Sequence, residues 1–284
     1  MPATAELERE FPFTAEDFRY LSELVSDRTG IMFADHKKDM VYARLSRRLR
    51  QLGMSSFEQY VRILNGENGE SEIGHLINAL TTNLTRFFRE PQQFDHFAEI
   101  ALPSCIDFLR AERSSRLRIW SAGCSSGEEP YSIAISLLET PGIKDWNVRV
   151  LATDLDTGML DAAAKGEYES ASIKDVSPER RMKHLMPPDS PMRDRWLVTD
   201  DLRSLIAFKQ LNLIGEWPMT GLFDVIFCRN VMIYFDPETK RTLITRFFDL
   251  LRPGGWLYLG SSETLLDLGD RFERAGPTTY RRAL

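Results

Sequence analysis

The stretch IWSAGCSSGEEPYSIAI, Ile119 to Ile135, holds four residues whose types and spacing suit a ligand cradle: Gly123, Gly127, Glu128 and Glu129. The glycines can take backbone angles forbidden to other residues, and the small Cys124, Ser125 and Ser126 let a ligand approach the main chain. Pro130 suits a first helical turn. A loop that leaves a parallel strand and enters a helix N-terminus is how open α/β folds build a nucleotide pocket. Asp154 closes the next apolar run, 31 residues after Gly123, where an acid can accept both hydroxyl hydrogens of a ribose. A dinucleotide fingerprint would carry GxGxxG and an acid about 20 residues on, so NAD fits poorly. Further along, FDVIFC ends on Arg229 and Asn230, polar residues at the carboxyl end of a buried strand. Glycine spacing of this kind also occurs at plain strand-to-helix turns, so these residues gain meaning only from the elements that position them.

Those elements alternate. LRIWS, VRVLATD, IAFKQ, DVIFC and GWLYLG are short apolar strands separated by helical periodicity, which predicts an α/β fold with a parallel sheet covered on both faces. The alternation lapses between Lys165 and Asp201, so an insertion is expected there, with RDRWLVT and SLIAFKQ pairing as antiparallel strands. Asn212 follows the third strand, beside Leu213. Asp236 and Pro237 start a helix that LRPGG ends, turning into a strand, and Thr278 to Arg281 is expected to add an edge strand.

Residues 1–80 show helical spacing only. Phe18, Leu21, Leu24 and Val25 form one stripe, and Val41, Leu45, Leu49 and Leu52 another. Ser56 is placed to cap a third helix that Gly66 ends, and a fourth spans Ser71 to Leu80. Opposite the second stripe stand Lys37, Lys38, Arg44, Arg47, Arg48 and Arg50 against one acid, Asp39. Such a face is either solvated or a docking surface that steers an acidic partner.

The 284 residues carry a net charge of -6, which argues against general nucleic-acid binding, and three scattered cysteines suggest neither a disulfide framework nor a zinc site. No apolar run approaches a membrane span, and the N-terminus lacks signal-peptide features, so a cytoplasmic protein is expected.

Four stretches stand in one order, TTNLTRFFRE, WSAGCSSGEEPYSIAI, ATDLDTGML and FCRNVMIYFD, followed by LRPGGWLYLGSSE. Together they resemble the chemotaxis receptor methyltransferases, the CheR family, which use S-adenosylmethionine to methylate glutamates of chemoreceptors. The resemblance covers Phe18 to Tyr280. It implies a helical N-terminal domain over residues 1–80, a linker over 81–100, and a Rossmann-like methyltransferase domain over 101–284. That domain should hold a seven-stranded sheet with one antiparallel strand and a small antiparallel β-subdomain inserted at about 165–204. The resemblance places Asn83, Thr85 and Arg89 at the cofactor or the reacting site. It assigns Glu128 or Glu129 to the methionine amino end and Asp154 to the ribose. Asn212, Leu213, Asn230 and Val231 would flank the adenine and the sulfonium side. Arg89 and Tyr234 would stand nearest the transferred methyl group. A carboxylate beside the glycine loop suits the ammonium of S-adenosylmethionine and would repel a pyrophosphate.

With the family in view, Arg44, Arg47, Arg48 and Arg50 become a docking face for the acidic helical domain of a chemoreceptor. Other readings are a methyltransferase acting on another protein or a small carboxylate, and a non-catalytic regulator that binds the cofactor. A monomer is expected, with no nucleic acid and no membrane insertion. Family members that tether to a receptor's C-terminal pentapeptide have a glycine-bearing loop where this chain has MPPDSPMRDRW, without glycine. Tight pentapeptide binding is therefore not expected.

Overall fold

The computed structural model describes residues 9–188, 194–265 and 271–283. It divides into two compact units, Met1–Thr82 and Asn83–Leu284.

In the first unit, helix starts follow the capping residues. The Thr14 hydroxyl accepts from the Asp17 N–H at 3.0 Å while the Asp17 carboxylate accepts from the Thr14 N–H at 2.8 Å, opening α1 (Ala15–Thr29). α2 (Lys38–Leu52) follows, then α3 (Phe57–Leu64), which Ser56 caps as its position predicts, then α4 (Gly69–Leu80). Both predicted apolar stripes turn inward except at Leu52, which is exposed at the end of α2, and Leu24, which is partly buried. Leu21, Val25, Val41, Leu45 and Leu49 are buried together with Phe57, Tyr60, Leu76 and Leu80.

The basic face of α2 is different from its sequence reading. Arg44 donates to the Leu80 and Thr81 carbonyls at 2.8 and 2.6 Å, satisfying carbonyls that the end of α4 leaves open. Arg48 grips the buried Glu72 of α4 with two bonds of 2.8 and 2.6 Å, and Arg50 pairs with the exposed Glu10. Arg44 and Arg48 are four apart, so they share the face that α4 covers. Only Arg47 of the four arginines points to solvent without a partner among the described residues.

In the second unit, α5 (Pro91–His96) passes through a π-type turn (Phe97–Ala101) into α6 (Leu102–Ala111), which leads to β1 (Arg116–Ala122). α7 (Glu128–Glu139), β2 (Asn147–Asp154) and α8 (Thr157–Lys165) complete the first crossovers. An inserted segment contains β3 (Glu167–Tyr168), α9 (Pro178–His184), β4 (Leu185–Met186), β5 (Trp196–Val198) and α10 (Asp200–Ser204). β6 (Ile206–Gln210), β7 (Phe223–Cys228), α11 (Pro237–Leu250), β8 (Leu251–Leu259), β9 (Phe272–Gly276) and β10 (Thr279–Arg282) finish the chain.

The main sheet has seven strands in the order β6-β2-β1-β7-β8-β10-β9. Five run parallel, β10 runs against β8, and β9 runs against β10, so β10 is the one reversed strand. Successive β1 side chains serve opposite faces. Ile119 joins the core of α6 and α7, while the Trp120 ring lies 5.4 Å from the Phe247 ring of α11. Strand order reverses between β1 and its neighbours β2 and β7, and the crevice at that switch point opens at the strand carboxyl ends.

Two expectations need correction. RDRWLVT does not pair with SLIAFKQ. β5 pairs antiparallel with β3 and β4 in a separate three-stranded sheet, whereas β6 lies parallel to β2. α10 intervenes where a hairpin turn would be needed, and Ile206 and Phe208 turn onto the main sheet's side chains. LRPGG, as expected, ends α11 and opens β8, its irregular start taken up by a register shift against β7. The C-terminal strand is not the edge, because β9 flanks it. The centre of MPPDSPMRDRW, residues 189–193, lies outside the described residues.

Burial opposes ionisation of Glu72, yet the Arg48 fork, with help from Tyr60 and His75, outweighs it and holds the carboxyl below the usual carboxylate range. A lowered carboxyl contributes stability that is present above its unfolded pKa and is lost as pH falls through its folded one. Arg48→Ala is expected to destabilise the full chain by about 1–3 kcal/mol at neutral pH, after allowance for partial solvent screening. The deficit should shrink under acid, as urea unfolding at two pH values checks.

Candidate active site

The site grows from the carboxyl ends of β1, β2 and β7. After β1, Gly123 takes φ +83° and its N–H donates to the Thr153 carbonyl at 2.8 Å, tying the loop to β2. A side chain at Gly123 would have its Cβ 2.3 Å from Val231 Cγ2, so the position accepts hydrogen alone. That approach joins the glycine loop to the turn after β7.

Asp154 organises the β2 side. Its Oδ2 accepts from the Ser125 N–H at 2.7 Å and its Oδ1 from the Asp156 N–H at 2.9 Å. Asn83 completes the cluster: its amide donates to Asp156 at 2.8 Å and its carbonyl accepts from the Ser125 hydroxyl at 2.9 Å. Burial pushes the Asp154 carboxyl above its ordinary range, against these main-chain donors.

The two motif glutamates diverge although both are buried in the first turn of α7. Glu128 accepts from the Ser126 hydroxyl at 2.7 Å, on the side where Tyr168 of β3 donates to the Ser126 carbonyl. Glu129 spans the switch point: it accepts from Ser121 of β1 at 2.7 Å and from Arg229, just past β7, at 3.0 Å. Burial raises both carboxyls, and at Glu129 the Arg229 charge opposes it.

Arg229 is the hub, with 5% of its surface exposed. Besides Glu129 it reaches Glu90 at 3.3 Å, donates to the Arg89 carbonyl, and lies over the Phe94 ring at 5.4 Å. The Arg89 backbone is thereby clamped between two left-handed residues, Phe88 (φ +49°) and Glu90 (φ +59°). Ser125 (φ +47°) and Asn230 (φ +59°) share that conformation. Each costs about 1–2 kcal/mol in an L-residue, and such strain concentrates at functional sites.

The remaining candidates are less tightly joined. Thr85 and Tyr234 are half-buried, Tyr234 in a short turn, Met232–Tyr234. The Arg89 guanidinium donates to the Leu84 carbonyl at 3.0 Å rather than toward Tyr234. Asn212 accepts from the Ile214 N–H at 3.2 Å, and Leu213 is buried, its carbonyl held by Arg246 and Trp217. Sequence reasoning left Ser121, Asp156 and Glu263 unassigned, valued Ser125 for its small size alone, and gave Arg229 only a place beside the crevice. The one sequence signal for Arg229 is its position at a strand's carboxyl end.

Glu128, Glu129, Asp154 and Asp156 outnumber the buried Arg229. This donor set fits a cationic ligand with ribose hydroxyls to donate, and it disfavours a phosphate. Fold and site together define a Rossmann-like domain for a cationic nucleoside cofactor. Residues 83–281 match the SAM binding domain of the CheR methyltransferases, and residues 16–81 match their all-alpha domain. The chain is 41% identical over 276 residues to chemotaxis protein methyltransferase 2 of Pseudomonas aeruginosa, covering 97% of this chain and 96% of that one. It is 42% identical over 264 residues to the chemotaxis protein methyltransferase of Escherichia coli, covering 93% and 89%. To the probable chemotaxis protein methyltransferase of Rhizobium etli it is 40% identical over 260 residues, covering 91% and 96%. The chain belongs to the CheR methyltransferase family, and its cofactor is S-adenosylmethionine.

A cation binds the ionised form of a carboxyl, so a raised carboxyl pKa makes affinity rise with pH. Calorimetry of S-adenosylhomocysteine, which keeps the ammonium, should show weakening from about pH 8 to about pH 5.5. Glu129→Gln should bind about 10–100-fold weaker and with a flatter profile. Glu128→Gln should stay closer to wild type, and the reverse ranking would assign the ammonium to Glu128.

Proposed function

We propose that the chain methylates glutamate side chains of chemoreceptors, giving glutamate methyl esters and S-adenosylhomocysteine. The observation that carries this reading is the family match along nearly the whole chain, together with an acid-rich crevice against which the Arg89 backbone is fixed. The bound cofactor supplies a methyl group already activated by a sulfonium. A glutamate is already an anion at neutral pH, so none of the chain's residues need act as a base.

What the protein supplies is alignment. Arg89 draws in and orients the incoming carboxylate, and Arg229 fixes where its backbone stands. Binding the carboxylate too tightly would stabilise the ground state and slow transfer, which suits an arginine on a loop. The Tyr234 hydroxyl shapes the space through which the methyl group passes, in line between oxygen and sulfur. Asn83, Asp154, Asn212 and Leu213 hold the nucleoside end, Glu129 the ammonium, and Thr85, Asn230 and Val231 the sulfonium side. Closing water out strengthens each of these interactions. On the helical unit Arg47 contacts the acidic receptor, while Arg44, Arg48 and Arg50 serve mainly to hold that unit together.

Labelled methyl transfer to receptor-containing membranes, released as methanol by mild base, tests the reaction. Arg89→Ala and Tyr234→Phe are each expected to lower kcat by about 10–100-fold. Arg47→Glu should raise KM with little change in kcat. Label that resists mild base would contradict ester formation, and near-wild-type turnover in both site variants would remove the assigned roles.

A further inference from the structure

Beyond the crevice, β8 runs into Gly260, and three residues later the Glu263 carboxylate is buried, with 5% of the residue exposed. Among the described residues its hydrogen-bond donors are main-chain groups. Oε2 accepts from the N–H of Gly260 at 2.6 Å and of Asn230 at 2.8 Å, and Oε1 accepts from the N–H of Ile233 at 3.2 Å. The Glu263 N–H returns to the Gly260 carbonyl at 2.8 Å, closing a knot between the end of β8 and the turn after β7. The fit is close. A Cβ at Gly260 would lie 2.5 Å from Asn230 Nδ2 and 2.7 Å from Asn230 N.

The turn held in this way contains Asn230 in its left-handed conformation, Val231 against Gly123, and Tyr234 one residue past Ile233. A left-handed asparagine persists only where its surroundings over-determine it. A carboxylate that accepts several N–H groups makes charge-assisted bonds roughly twice as strong as neutral ones, so it can hold such a turn.

We propose that Glu263 is a positioning residue for methyl transfer. It fixes the Asn230–Tyr234 turn, and through that turn it sets both the contact on Gly123 and the Tyr234 ring. The proposal rests on the methyl-transfer reading for its account of Tyr234. Its two oxygens do different work: Oε2 holds the Asn230 end and Oε1 the Tyr234 end.

Glu263→Gln separates them. Its single carbonyl oxygen can keep Gly260 and Asn230, but its amide then opposes the Ile233 N–H, donor against donor. The variant is expected to lose about tenfold in kcat on receptor-containing membranes. Its affinity for S-adenosylhomocysteine should stay within about threefold of wild type. Tyr234→Phe combined with Glu263→Gln should lose little beyond Tyr234→Phe alone, because both act on one group. Wild-type kcat in folded Glu263→Gln, or a lowered Tm with unchanged kcat, would overturn the proposal. If Tyr234→Phe alone is harmless, the role of the Tyr234 hydroxyl fails, and a kcat loss in Glu263→Gln still supports positioning of the turn through its Ile233 end. Gly260→Ala presses on the same knot from the other side and serves if Glu263→Gln does not fold. Lowered kcat there supports the proposal, and unchanged kcat overturns it.

Discussion

The second unit depends on one buried cation. Arg229 leaves a strand whose residues are all buried, and its guanidinium meets Glu129, Glu90, the Arg89 carbonyl and the face of Phe94. Removing a guanidinium from water costs several kcal/mol unless its donors are met, so burying it here is tolerable only while those groups stay in place. Arginine suits this position because its rigid fork reaches several acceptors at once, where an ammonium offers a compact point charge. The same contacts join the end of β7 to α7, α5 and the segment preceding α5, and Glu129 carries the link on to Ser121 of β1. One residue therefore ties the glycine-loop side of the crevice to the loop that carries Arg89.

Around this cation the site accepts two kinds of strain. Four of its residues outside glycine adopt left-handed angles, and several carboxylates crowd a buried region. The backbone strain is held by donors and acceptors from other elements: the Phe88 N–H to Ser132, the Ser125 N–H to Asp154, the Asn230 N–H to Glu263. The electrostatic strain is of the sign that a sulfonium and an ammonium relieve. A site built this way favours its cofactor by what it lacks, a positive balance, as well as by shape.

How much was legible in the sequence follows from the range of each interaction. Ser56, Asp236 and the apolar stripes act on neighbours one or two turns away, so the helices they start and orient were readable. The alternation of strands and helices fixed the parallel sheet, and Asp154 stood at its strand end as the apolar run before it implied. Long-range partners were hidden. The arginines of α2 looked like a free basic face because nothing local shows that Glu72 and the end of α4 lie against them. The pairing of β5 was misread because α10 is too short to leave a clear periodic signal. Arg229 and Glu263 are ordinary charges in sequence, and their roles exist only where β7 and β8 end side by side.

The central claim is that Arg229 holds the Arg89 loop onto the crevice through several acceptors at once. Arg229→Lys keeps the charge and removes the fork, so amide hydrogen exchange over residues 84–90 tests it most directly. The account predicts faster exchange in that segment than in wild type, with protection in β1 and β7 preserved. Unchanged protection across residues 84–90 in a folded Arg229→Lys protein would contradict it.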